Sequence, residues 1–200
     1  MISPSGLVSL VPLAHLQLTG ITKIKTQKLY PLGDSWMNKD LRKGFVAALG
    51  GGAVAIAAAL LSGKAGLEGR EHYPYKDVVG VVTVCDGHTG PDIIWGRRYS
   101  DAECDALTQR DIRRIANQID PAIKVKLTET QRASLYSFAY NVGPNAFKSS
   151  TLLKKLNQGD YLGACEQLKR WTYAGGQKWK GLVNRRDVEY EVCTWSQVNV

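Results

Sequence analysis

Glu68, Asp77 and Thr83 stand at relative positions 0, +9 and +15 in a stretch otherwise rich in Tyr, Val and Gly. Two carboxyl groups and a hydroxyl are what cleavage of a glycosidic bond requires. One acid protonates the leaving oxygen, a second carboxylate guides water or the developing positive charge, and the hydroxyl holds that water. The spacing alone is unspecific. Two acids nine residues apart commonly serve as surface charge, and Glu71 is by composition an equal candidate for the acid. The surrounding elements must decide.

The segment just before Glu68 is unusual. Gly44 to Leu61 is 18 residues without a charge, the lower limit for crossing a bilayer core. Four of them are Gly and seven are Ala, so the segment is only weakly hydrophobic and leaves lipid at small cost. Lys39, Arg42 and Lys43 precede it, a basic flank that favours a cytoplasmic N-terminus. Export of everything after Leu61 follows. A cleavable signal peptide is the first alternative, but Lys64 in "LLSGKAG" spoils the small-residue cleavage site. A core helix is the second, and three consecutive glycines, Gly50 to Gly52, would cost about 1 kcal/mol each in mid-helix. The favoured reading is one apolar span that anchors an exported domain, with Glu68 at the end of a helix continuing from it. Met37 opens "MNKDLRKGF", a complete basic flank, so it is the expected natural start. Residues 1–36 then form an extension without a fold, 37–66 an anchor that can be released, and 67–200 the exported domain.

Within that domain, "HYPYKDVVGVVTVCDGHTG" alternates β-branched residues with Gly and reads as a small antiparallel sheet. Two capping boxes follow, Ser100 with Glu103 and Thr128 with Gln131, each opening an amphipathic helix. The second helix stops at Gly143-Pro144. Shorter helices are expected near 150–158, 160–171 and 184–195, with Asp160 as an N-cap. The fold class is α+β, a small β element and a mostly helical lobe enclosing a cleft.

A formal charge of +8 predicts attraction to polyanions: nucleic acid, anionic phospholipid or the acidic polymers of a bacterial wall. A merely solvated basic surface is the bland reading. The aromatic residues do not interleave with Lys/Arg runs, so no nucleic-acid partner is expected. The histidines form no HxxH or HExxH spacing, and neither a metal nor a cofactor is expected. His88 reads as a structural hydrogen-bonder before a ligand or base.

"EGREHYPYKDVVGVVTVCDGHTG" (Glu68–Gly90) resembles the active-site segment of the phage-type lysozymes, glycoside hydrolase family 24. "SFAYNVGPNAFKSSTLLKKLNQGD" (137–160) and "RWTYAGGQKWKGLVNRRDVEYEVCTW" (170–195) resemble the family's second and third signatures. With its anchor, the chain most resembles the signal-anchor-release endolysins of lambdoid phages. The resemblance implies a lysozyme-like fold and a peptidoglycan hydrolase cutting between N-acetylmuramic acid and N-acetylglucosamine. It makes Glu68 the general acid, Asp77 the second carboxylate and Thr83 the water-positioning hydroxyl, with Arg185 of "NRR" orienting Glu68. His88, Tyr173 and Trp179 are candidates for contact with the sugar; Trp171 is one too, with core packing as its alternative.

The same resemblance implies an inner-membrane stage with the N-terminus cytoplasmic, passage by the host export machinery, and action in the periplasm as a monomer. In that oxidising compartment the four cysteines are expected to pair as Cys85–Cys104 and Cys165–Cys193. A non-catalytic wall-binding protein on the same fold is the competing reading, and intact Glu68, Asp77 and Thr83 argue against it.

Overall fold

The computed structural model describes residues 36–77 and 80–198. Residues 1–35 of the expected extension lie outside that range. The described chain opens with helix α1 (Lys39–Ala48), started by Asn38, whose side chain accepts a hydrogen bond from Leu41 N at 2.9 Å. Met37, Leu41 and Phe45, four residues apart, form its buried stripe. A single turn of 3₁₀-helix at Leu49–Gly51 then breaks the path, and Gly52 takes φ 78° and ψ 171°, a region essentially reserved for glycine. Helix α2 (Gly52–Leu61) follows and buries Ala53, Ile56, Ala57, Leu60 and Leu61.

The apolar segment is therefore two helices rather than the one expected. The glycines do not weaken a helix interior, because they make the bend. Both helices lie in the main hydrophobic core with Ile112, Leu135, Phe138, Leu168 and Val192. Phe45 meets Trp195 edge-on at 4.8 Å between ring centres, with the Arg42 guanidinium over the same indole. Complete burial of Phe45, Ile56, Leu60 and Leu61 stabilises the fold by about 6–12 kcal/mol against exposure to water. Yet Lys39–Leu61 is long and apolar enough to cross a membrane. The same residues satisfy either environment.

Three strands follow: β1 (Glu71–Lys76), β2 (Val82–Cys85) and β3 (His88–Thr89). They form an antiparallel sheet in the order β1-β2-β3, with Tyr75 opposite Thr83 and Val84 opposite His88. Ser100 and Thr128 cap α3 (Asp101–Ile119) and α4 (Glu129–Val142) through the two capping boxes the sequence predicts. Next come α5 (Pro144–Ser149), α6 (Thr151–Asn157) and α7 (Tyr161–Leu168), the last capped by Asp160. A two-stranded hairpin, β4 (Tyr173–Ala174) and β5 (Gln177–Lys178), leads into α8 (Lys180–Val198). Disulfides join Cys85 on the sheet to Cys104 on α3, and Cys165 on α7 to Cys193 on α8.

Candidate active site

Glu68 does not extend a helix, contrary to the sequence reading. After α2 ends at Leu61, the chain doubles back on itself. Leu67 N donates to Leu60 O at 2.9 Å, and Glu68 N to Leu61 O at 3.4 Å. Orphan carbonyls at the end of α2 are thereby satisfied, and the backbone of Glu68 is pinned to that helix end. Gly69, at φ +76°, turns the chain into β1.

A buried ionic knot fixes this return path. Asp86 is fully buried. Its carboxylate accepts from Arg70 Nε at 3.0 Å and Nη2 at 2.7 Å, from Thr108 Oγ1 at 2.9 Å and from Gly63 N at 3.2 Å. One side chain thus grips both ends of the short link carrying Glu68. Arg70 also reaches Asp101 and Asp105 on α3. Its bond to Asp86 is the chief reason its pKa is raised, against the pull of burial, so it stays charged. Tyr140 closes the knot by donating from its hydroxyl to Asp86 O at 3.0 Å. Burial, with the charges of Asp111, Glu68 and Asp86, pushes that phenol far up.

The Glu68 side chain leaves the link and meets Arg185 from α8, with Nη1 2.5 Å from Oε1. About a fifth of the Glu68 side chain is exposed, whereas Arg185 is buried. Arg185 also donates to Glu189 Oε1 at 3.1 Å and to Ser137 O at 3.0 Å. Burial disfavours its charge, but Glu189 and Glu68 outweigh that and raise its pKa. Glu189, fully buried, accepts from Ser137 Oγ at 2.8 Å and faces Arg186 at 3.1 Å. Arg186 donates to Asn141 and lies over the Phe138 ring. Burial brings its pKa down to about 10. Glu68 is therefore held at the edge of a preorganised charge network, one face on arginine and one open.

Asp77 closes the turn between β1 and β2. Its Oδ1 accepts from Val81 N at 2.8 Å, and its backbone N donates to Val81 O at 3.0 Å. Thr83 is buried on β2, opposite Tyr75, and its Oγ1 donates to Val81 O at 3.2 Å. Burial first, then the charges of Glu71, Asp77 and Glu68, raise the pKa of the Tyr75 phenol. Gly87 leaves space on the other side: a Cβ there would stand 4.0 Å from Glu68 Oε2 and 3.7 Å from the Tyr140 ring. The arrangement sets a partly open carboxyl, Glu68, on the link into the sheet whose turn and second strand carry Asp77 and Thr83.

The remaining candidates separate. His88 is buried, with Nδ1 2.6 Å from Asp111 and Nε2 3.2 Å from Asp92, so it ties the sheet to α3 rather than presenting nitrogen to a sugar. Tyr173 and Trp179 are exposed on the β4–β5 hairpin, where Trp179 Nε1 donates to Ala174 O at 3.0 Å. Trp171 instead packs edge-on against Phe138 at 5.2 Å in the core. Among the described residues, no group of three His, Cys, Asp or Glu could hold a metal ion. A charged depression lined by His88, Asp92, Arg97, Tyr99, Glu103 and Arg110 contains none of Glu68, Asp77 and Thr83.

Sequence reasoning missed Asp86, Arg70, Tyr140 and Glu189. One signal was available: Arg185, Arg186 and Glu189 share a helix with Val188 and Val192, charges at the spacing of a core face.

The family model for phage lysozyme matches residues 65–189. The SAR-endolysins of Enterobacteria phages PA-2 and P21 are 58% and 57% identical over 164 residues, spanning 80% of this chain and 99% of each relative. Among solved structures, the active form of the P1 phage endolysin Lyz superposes with a TM-score of 0.63 at 22% identity, over 80% of this chain and 96% of that one, a likeness of fold. The endolysin from Escherichia coli O157:H7 phage FAHEc1 gives 0.60 at 26% identity, over 78% and 92%.

Proposed function

Because this chain belongs to the phage lysozyme family, we infer that it is a muramidase endolysin that hydrolyses the β-1,4 bond between N-acetylmuramic acid and N-acetylglucosamine in peptidoglycan. The observation that carries this is Glu68, partly open to solvent and clamped by Arg185 at 2.5 Å, on the link into the sheet whose turn and second strand bear Asp77 and Thr83. In the reaction Glu68, as the carboxylic acid, gives its proton to the glycosidic oxygen as the C1–O bond breaks. Water held by Thr83 adds to C1 and loses its proton to Asp77. Arg185 fixes the orientation of Glu68 and receives the negative charge left on it. Exposed Tyr173 and Trp179 supply flat faces for stacking on sugar rings.

Before release, residues 37–66 lie in the host inner membrane as a straight span, with the basic flank in the cytoplasm. Seven residues from Leu61 reach at most about 24 Å extended and about 10 Å as helix, so Glu68 is then held near the bilayer surface. Leaving the lipid, the span bends at Gly50–Gly52 and enters the core, and Glu68 settles on the end of α2. Residues 1–36 are read as an extension, because Met37 opens the basic flank of the span.

The test is clearing of a sacculus suspension by the purified, detergent-free chain beside Glu68→Gln. The wild type is expected to clear it and the variant to lose at least about 100-fold. Equal rates for the two would sink the assignment.

A further inference from the structure

We propose that Glu129, on the helical lobe, is a positioning residue that recognises the bent form of the released anchor and holds α2, and through it Glu68, in place. The inference rests on the release reading above. Glu129 opens α4, where Thr128 and Gln131 already supply the helix start. Its carboxylate turns instead to another helix: Oε2 accepts from Ala53 N at 2.6 Å, and lies 3.6 Å from where a Cβ on Gly52 would stand. Helix α2 has no side-chain cap of its own, since Gly51 precedes it. A carboxylate from 76 residues away in sequence does that work.

The bond discriminates between two states. In an uninterrupted helix the N–H of Ala53 is occupied by the carbonyl of Leu49, four residues back. It becomes free only when the chain bends at Leu49–Gly52 and α2 acquires an N-terminus of its own. Glu129 therefore has no partner at Ala53 while the span is straight and gains one when it folds. An interaction present in one state alone shifts the balance toward that state. The lower end of α2 supplies Leu60 O and Leu61 O to the backbone of Leu67 and Glu68, so the cap also sets the acid.

The experiment uses the full chain in cells as wild type, Glu129→Ala and Glu129→Gln. Membrane and soluble fractions are quantified before and after an uncoupler, and sacculus lysis is measured per soluble molecule. Glu129→Ala should lower the soluble-to-membrane ratio after uncoupling about fivefold, the size of losing a helix cap. Glu129→Gln, which keeps an acceptor oxygen without the charge, should lower it about twofold. Lysis per soluble molecule should also fall, by less than the ratio, because the end of α2 that carries the Glu68 backbone is then held less firmly. A ratio unchanged in Glu129→Ala overturns the proposal, even with a lowered melting temperature. Should that variant fail to accumulate, an unchanged ratio in Glu129→Gln overturns it equally. A wild type that never associates with membrane would instead overturn the release reading itself.

Discussion

Two alanine substitutions two residues apart should separate the membrane state of this chain from its folded state. Gly50→Ala and Gly52→Ala each add one methyl to the straight span, about 0.8 kcal/mol of extra apolar burial in lipid. Each also improves helix propensity there by about 1 kcal/mol. In lipid the two variants are equivalent. In the bent protein they are not. A Cβ at Gly50 meets nothing within 4 Å, whereas Gly52 sits at φ 78° and ψ 171°. Placing an L-residue in that region costs about 1–3 kcal/mol. The released-to-retained ratio should therefore be about 5- to 150-fold lower for Gly52→Ala than for Gly50→Ala. Membrane fractionation at fixed times after uncoupling, with immunoblot quantification, measures that ratio. If both variants partition alike, the bend at Gly52 is not the form the released segment adopts, and the account of activation fails with it.

Further outcomes follow from the buried charges. Arg185→Met leaves Glu189 buried with Arg186 and Ser137 as its remaining listeners, at a cost of about 3 kcal/mol, the low end for breaking a buried pair. The soluble protein should melt about 6–12 °C lower and lose wall lysis as Glu68 loses its clamp; a melting temperature within about 2 °C of wild type would contradict the network. Burial, with the bond to Asp120, pushes the Tyr136 phenol up to about 12. A pKa raised above the unfolded value near 10 gives stability that is complete below about pH 10 and lost as pH rises toward about 12. Alkaline melting curves of Tyr136→Phe should decline less than wild type by this share, with Tyr140 and Tyr75 still contributing theirs, and a decline of equal size would refute the assignment.

Much of the scaffold was legible because its signals are local. Ser100 with Glu103 and Thr128 with Gln131 start the two long central helices, and the alternation around Thr83 marks the sheet. The catalytic candidates were legible through a motif, since spacing alone left Glu68 level with Glu71. What escaped depends on distant partners. Glu129 and Ala53 are 76 residues apart, and Ser137 and Glu189 are 52. The glycine run misled for a different reason. Helix propensity counts each glycine as a penalty, but a glycine that makes a bend incurs none. The same local view placed Glu68 on a helix, because the fold-back at Leu67 is set by the end of α2 and by Asp86, not by the residues of the link.

That fold-back restricts how such a molecule can be switched on. A protease nicking the link after Ser62 would free the domain to diffuse, yet it would also remove the peptide carbonyls on which the Glu68 backbone rests. The gap left by Phe45, Ile56, Leu60 and Leu61 would open the interior to water. Cutting the tether is thus no substitute for withdrawing it. The part that restrains the molecule beforehand is a component it cannot work without afterwards, so premature proteolysis disarms the weapon instead of triggering it.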